Sequence, residues 1–367
     1  MYIKRVFPLY RMLIWTKRYI IMFLIISFVP VFLFDILDWK WLHLPWLPIG
    51  LLGTAVAFIA GFKNNASYDR LWEARKIWGG IVNSSRSWTI MVKDFITNDH
   101  AKTKLGDKGL ADIHRELVHR HVAWLTALRY QMRQPKPWEI YNLERKENTD
   151  FRSKFYSIPE EAMPLEEAID PYLSAAEKTE VFAKGNRASQ LLGIQSRRLR
   201  ELFQIGMIED FRHMEMKKIL VELYTLQGKS ERIKNFPYPR QFATLNYYFV
   251  WIFICLLPFG VMDVFESIGQ DFKEDMVNHV HDAGYLHIMA DILGAHFVWL
   301  SIPFSALISW VFYCLELIGE STENPFEGSA NDVPISTMAR GIEIDIRQLI
   351  DDTGIPAPLQ WKNDIVL

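Results

Sequence analysis

Cysteine is nearly missing from this chain: there are two in 367 residues, Cys255 and Cys314, each inside an apolar block. A disulfide framework therefore has no support, and cysteine usage assigns no compartment. Net charge is nearly missing too. The 41 Lys and Arg against 43 Asp and Glu leave −2 at pH 7, and nucleic-acid binders usually carry a basic domain or stripe. No nucleic-acid partner is expected. Alternating strand patterns are absent, as are a glycine-rich phosphate loop and an HExxH pair, and no Cys/His or Ser/His/Asp arrangement stands out. Nothing supports an enzyme, a cofactor or a bound metal.

What the chain does have is apolar residues gathered into four blocks, with the charges lying between them. Block one runs from Tyr19 to Phe34 without a charge, after a segment in which Lys4, Arg5, Arg11, Lys17 and Arg18 alternate with apolar side chains. That pattern (residues 1–18) suits a helix lying on a cytoplasmic membrane surface. FDILDWKW follows instead of a small-residue cleavage site, so the block reads as a retained membrane segment. Block two runs from Trp46 to Phe62, behind Trp39 and Trp41 that suit a lipid interface. Each of these two blocks spans about 25 Å as a helix, against a ~30 Å hydrocarbon core.

Charge then sets a topology. Lys63, Arg70, Arg75, Lys76 and Arg86 follow block two, and Arg232, Lys234 and Arg240 precede block three, so both flanks are expected in the cytoplasm. Block three (Ala243 to Val261) leads to an acid-rich stretch with Asp263, Glu266, Asp271, Glu274 and Asp275, read as an outer loop. Block four runs from about His287 to Ile318, interrupted by Asp291, His296 and Pro303. The expected fold is all-α: four membrane helices in 19–62 and 240–318, a helical cytosolic insert in 63–239, and a cytosolic C-terminal segment in 319–367. Both termini are expected on the cytoplasmic side of the inner membrane.

Within the insert, Leu110, Ile113, Leu117, His121, Trp124 and Leu128 recur at helical spacing, and so do Leu192, Leu199, Leu202, Ile205 and Ile208. Residues 134–171 are proline- and charge-marked and read as a looser connection. MARGIEIDIRQLIDD near the C-terminus reads as a short helix.

The stretch around which the chain is organised is Trp46 to Trp78, apolar in its first half and polar in its second, with no break between the halves. It predicts one helix that leaves lipid and continues into the cytoplasm. Thr54, Phe58 and Phe62 fall four apart and share a face. Gly53, Ala57 and Gly61 form a second row of small residues that would let helices approach closely in a bilayer. Apolar rings around an axis can gate by dewetting. The same spacing also suits a helix facing lipid or core.

The polar continuation, GFKNNASYDRLWEARKIW, resembles a signature of the bacterial bestrophins. KSERIKNFPYP at Lys229 to Pro239 and ENPFE at Glu323 to Glu327 add to the resemblance, which covers essentially the whole chain. It implies a homopentameric ion channel, embedded in membrane lipid and passing monovalent ions passively around one central pore. Thr54, Phe58 and Phe62 would occupy the family's three neck positions, where bulky apolar residues are usual, so Thr54 departs from the pattern. A second, cytosolic aperture is implied near Ile208, with Met207 and Phe211 as neighbours. Asn64, Asn65, Asp69, Arg70, Glu73 and Arg75 would pair between subunits or line a wet inner cavity. Conduction of anions, chiefly chloride, is the usual family activity. The acid-rich outer stretch leaves a sodium-selective channel open, and a non-conducting membrane scaffold or sensor is the alternative from another class.

In animal members an acidic run after the NPF element forms a calcium clasp. Here the equivalent stretch holds only Glu327 and Asp332, short of the six to eight oxygens calcium takes, so calcium gating is not expected. His279, His281, Asp282, His287, Asp291 and His296, and separately His114, His119 and His121, are candidate zinc ligands by residue type, but solvated loop histidines and a helix of mixed facing are the expectation. Asp291 and His296 are expected to face protein or water.

Overall fold

A computed structural model describes residues 1–279, 294 and 296–367. Among them no strand forms, only two isolated bridges, Tyr2 with Ile365 and Lys362 with Ile365. The long helices are α1 (Leu9–Asp35), α2 (Trp46–Phe95), α3 (Asp107–Arg133), α4 (Arg187–Gln204), α5 (Asp210–Asn235), α6 (Arg240–His279), α7 (Ser301–Thr322) and α8 (Ile335–Leu349). Short helical turns, among them Lys146–Phe155 and Ala175–Phe182, fill the stretch between α3 and α4. Among the described residues, four helical segments are long and apolar enough to cross a membrane: Leu9–Asp35, Lys40–Phe95, Arg240–Asp275 and Phe297–Thr322.

Several boundaries differ from the sequence reading. The basic residues Arg11, Lys17 and Arg18 belong to the same helix as block one rather than to a separate surface segment. Helix α2 runs on past Trp78 to Phe95, through Gly79 and Gly80. Ile81, Ser85, Trp88 and Val92 are all buried there, so one apolar stripe continues at helical spacing and holds the helix together. The acid-rich stretch after block three is not a loop: Asp263, Glu266 and Asp271 are helical residues of α6, which also carries Pro258 in its interior. Pro303 does not interrupt block four, because it lies in the first turn of α7, where no backbone donor is lost.

The chain divides into two compact units. One comprises Phe7–Tyr68 and Tyr238–Glu323. Its core joins Phe23 of α1, Ile49 and Val56 of α2, Val250, Phe253 and Leu257 of α6, and Tyr313 and Leu317 of α7. A Cβ on Gly53 would come within 2.7 Å of the Phe253 ring, so glycine is what lets α2 lie this close to α6. The other unit comprises Met1–Val6, Asp69–Pro237 and Asn324–Leu367. Trp78, Trp88, Leu117, Trp124, Leu199 and Ile342 are among its fully buried side chains. The helical pattern expected over 110–132 is there, with Ile113, Leu117, His121, Trp124 and Leu128 all buried.

The second expected pattern is cut in two at Gly206. Gly206 has φ +82; its N–H donates to the Phe203 carbonyl at 3.0 Å, and the Met207 N–H donates to the Leu202 carbonyl at 2.9 Å. This pair of bonds closes α4 as a Schellman motif, with Met207 as its buried apolar partner. A Cβ at Gly206 would collide with the His100 carbonyl. Gly206→Ala therefore combines a left-handed φ with a backbone clash and is expected to destabilise by about 2 kcal/mol or more. Gly193→Ala, in α4 with open space around it, is the matched control and should be neutral or stabilising. Denaturant unfolding of the two variants checks this, and equal midpoints would refute it.

Candidate functional site

Along α2 the buried and exposed positions alternate with the turn of the helix. Ile49, Gly53, Val56, Ala60, Lys63 and Ser67 are buried, while Thr54, Phe58, Phe62, Asn65 and Asp69 are exposed. At about 100° per residue the exposed five stay within roughly 40° of Phe58. Phe58 and Phe62 are 66% and 60% exposed, and their rings meet edge-on with centroids 4.6 Å apart. Thr54 donates its hydroxyl to the Gly50 carbonyl at 2.9 Å. Of the small-residue row, Gly53 is taken up by Phe253 of its own subunit, which removes it as a contact between copies. Ala57 and Gly61 are exposed.

A polar cluster fixes the other side of this helix. Lys63 and Glu316, each 4% exposed, pair at 2.5 Å, and the Asn246 amide donates to the other oxygen of Glu316. Next to it, a Cβ at Gly319 would collide with the Asn64 amide, so glycine permits the approach of α7. The pair was missed in the sequence reading, although Glu316 is the one acid within the apolar run of α7 and an ionisable residue there signals a partner.

The remaining signature residues divide their roles. Arg70 donates to the Ile233 and Phe236 carbonyls at 3.1 and 2.9 Å and so covers the C-terminal carbonyls of α5. Glu73 accepts from Arg232 at 2.5 Å. The Arg75 guanidinium lies 5.5 Å from the centre of the Trp72 ring, and Asn65 and Asp69 stay exposed.

Of the residues expected near a cytosolic aperture, Ile208 and Met207 are 3% and 2% exposed and belong to the core of their own unit. Phe211, at the start of α5, is 81% exposed. Of the three, it alone is placed to project outward.

Glu327 and Asp332, the two acids of the NPF loop, are both engaged in hydrogen bonds. Glu327 accepts from Asn142 and Asn324, each at 3.2 Å. Asp332 accepts from the Gly328 N–H at 2.5 Å and from the Ser329 hydroxyl at 2.6 Å, so it holds its own turn while Glu327 also ties the loop to Asn142. Burial, reinforced by the nearby Asp332, pushes the pKa of Glu327 up to about 8. The three helical histidines likewise have separate partners: His114 the Ile96 carbonyl, His119 the Asp352 carboxylate and His121 the Ser85 hydroxyl. His296 lies 3.5 Å from Asp35. His281, Asp282, His287 and Asp291 lie outside the described residues, as does the side chain of His279.

The sequence profile of the bacterial and fungal bestrophin proteins matches residues 12–269 and 285–348. The chain belongs to the bestrophin family. Similar proteins include the voltage-dependent anion channel-forming protein YneE of Escherichia coli K12, 26% identical over 313 residues, covering 85% of this chain and 79% of that protein. Another is the voltage-dependent anion channel-forming protein RSc3414 of Ralstonia nicotianae, 26% identical over 322 residues, covering 85% and 83%. A bacterial bestrophin homologue from Klebsiella pneumoniae shares the fold with a TM-score of 0.66 at 22% identity, over 92% of this chain and 98% of that one. This bestrophin is thus an all-helical membrane protein of a channel family.

Two expected outcomes follow from the buried charges. Lys63→Met leaves Glu316 buried without a cation and should cost about 3–5 kcal/mol, while Lys63→Met with Glu316→Gln should recover most of it. Recovery of assembled protein after graded heating measures both, and a double variant as weak as the single would contradict the pairing. For Glu327, the raised pKa means the folded form keeps a proton that the unfolded chain releases near 4.5. Stability is therefore lost as pH rises from about 4.5 through about 8, by up to about 5 kcal/mol. Glu327→Gln should abolish that component, so wild type and variant should differ in the change of Tm between pH 6 and pH 9.

Proposed function

We propose that the chain forms a homopentameric channel in which five copies of α2 surround one pore. Small monovalent ions, chloride first among them, pass through it passively. The observation that carries this reading is the exposed stripe of Thr54, Phe58 and Phe62 on a helix apolar enough to span a membrane, in a chain of the bestrophin family. Large aromatic rings left out of their own subunit's core need other cover, and a ring of symmetry mates supplies it while bringing the rings to a common axis. Such a constriction opposes ions by dewetting, with Thr54 giving a smaller and partly polar outer ring. Phe211 would form the second, cytosolic narrowing.

The assembly would sit in the inner membrane with both termini cytoplasmic, as the basic flanks of blocks two and three favour. The anion reading rests on the likeness to the relatives called anion channel-forming. A cation-selective channel of the same fold is favoured by one feature, the exposed Asp69 at the inner end of the stripe.

Ion flux from liposomes holding the purified protein, under opposed chloride and sodium gradients, tests the reading, and its reversal potential gives the sign of charge. Flux of neither ion would leave the scaffold reading. Phe58→Ala should raise single-channel conductance about twofold or more, and Phe211→Ala should raise it if the second narrowing limits flow. Unchanged conductance in both would remove the stripe from the pore.

A further inference from the structure

The charges near the aromatic pair are mostly accounted for. Lys63, the next residue after Phe62, is buried and neutralised by Glu316. Arg70 is turned to the carbonyls of Ile233 and Phe236, and Glu73 is paired with Arg232. Asp69 differs from all three. It is exposed, and no hydrogen bond or ion pair engages its carboxylate among the described residues.

Its position on the helix is equally particular. Eleven residues separate it from Phe58, which is three turns and about 20°. It therefore continues the stripe of Thr54, Phe58 and Phe62, about 10 Å beyond Phe62 along the axis, with only the uncharged Asn65 between. The next charge on the stripe is Lys76, also exposed, another seven residues on.

We infer that Asp69 tempers the anion preference of the pore: five copies of its carboxylate ring the inner end of the neck, let sodium enter beside chloride and hold chloride permeability below what the uncharged aromatic rings would allow. This rests on the reading of the stripe as the pore wall. A ring of like charges beside a narrow apolar passage raises the local concentration of the opposite ion, and with it the rate of entry. The aromatic rings carry no fixed charge and cannot supply that discrimination. Lys76 acts in the opposite sense from about 10 Å further in, a distance at which screening at 0.1 M salt already weakens it relative to Asp69.

The experiment measures the sodium-to-chloride permeability ratio from reversal potentials of the full-length protein in bilayers. Asp69→Asn should lower the ratio about threefold or more at 0.1 M salt, and Asp69→Lys further. The difference from wild type should shrink at 1 M, where the screening length falls to about 3 Å, and Asp69→Glu should restore the wild-type ratio. Lys76→Gln should shift the ratio the other way by less. Because substitution of Asp69 could impair assembly, Asp69→Cys modified after reconstitution with a cationic or an anionic thiol reagent gives an independent readout. It is made with Cys255→Ser, since Cys255 is exposed and Cys314 buried. The two reagents should move the ratio in opposite directions. Phe58→Cys in the same background tests the pore wall itself. Block of Phe58→Cys with an unmoved ratio in every Asp69 variant overturns the inference and leaves the channel reading intact, whereas no block of Phe58→Cys overturns both.

Discussion

What α2 offers outward depends on how firmly its other face is held. A 50-residue helix with apolar residues on every side of its first half has no rotational preference of its own in lipid. The preference comes from the polar cluster of Lys63, Glu316 and Asn246, buried at the end of the membrane-spanning part of the helix. Charges placed there cannot turn to lipid without losing each other, which is far more costly than rotating an apolar side chain. Gly53 and Gly319 act with the cluster by letting α6 and α7 come close. With that face committed, Phe58 and Phe62 are left outside the subunit.

The signature string GFKNNASYDRLWEAR is therefore several devices in sequence rather than one site. Lys63 and Asn64 serve the packing of the membrane helices, Arg70 closes the end of α5, and Glu73 ties down Arg232. Only Asn65 and Asp69 of the polar residues share the face of the aromatic pair. A string of charges that looks like one wet surface in the sequence is, in the folded chain, mostly used up by neighbours.

The NPFEGSANDVP loop shows the same economy in the other unit. The structure gives each of its two acids a local role. Asp332 gathers donors of its own turn, and Glu327 is enclosed with the Asn142 and Asn324 amides as donors. Enclosure of that kind favours the protonated carboxyl.

The sequence by itself determined the helical class, the number of apolar blocks and Thr54, Phe58 and Phe62 as a row on one helix face. Hydrophobic period, block length and charge flanks are local quantities and survive without a fold. It also led to the family, through a string too long and unusual to arise by chance. It did not determine where helices end when the boundary depends on packing. Residues 189–227 read as a single pattern until Gly206 adopts a left-handed φ against the His100 carbonyl, and α2 passes Gly79 and Gly80 because Ile81, Trp88 and Val92 have a core to enter. Only the tertiary structure decided that Ile208 and Met207 are core while Phe211 is surface, and that Lys63 is paired with Glu316 while Asp69 is exposed. Period places a residue on a face of its helix, but what that face meets, and which charges are cancelled there, depends on residues as far away as Glu316, brought near only when the chain folds.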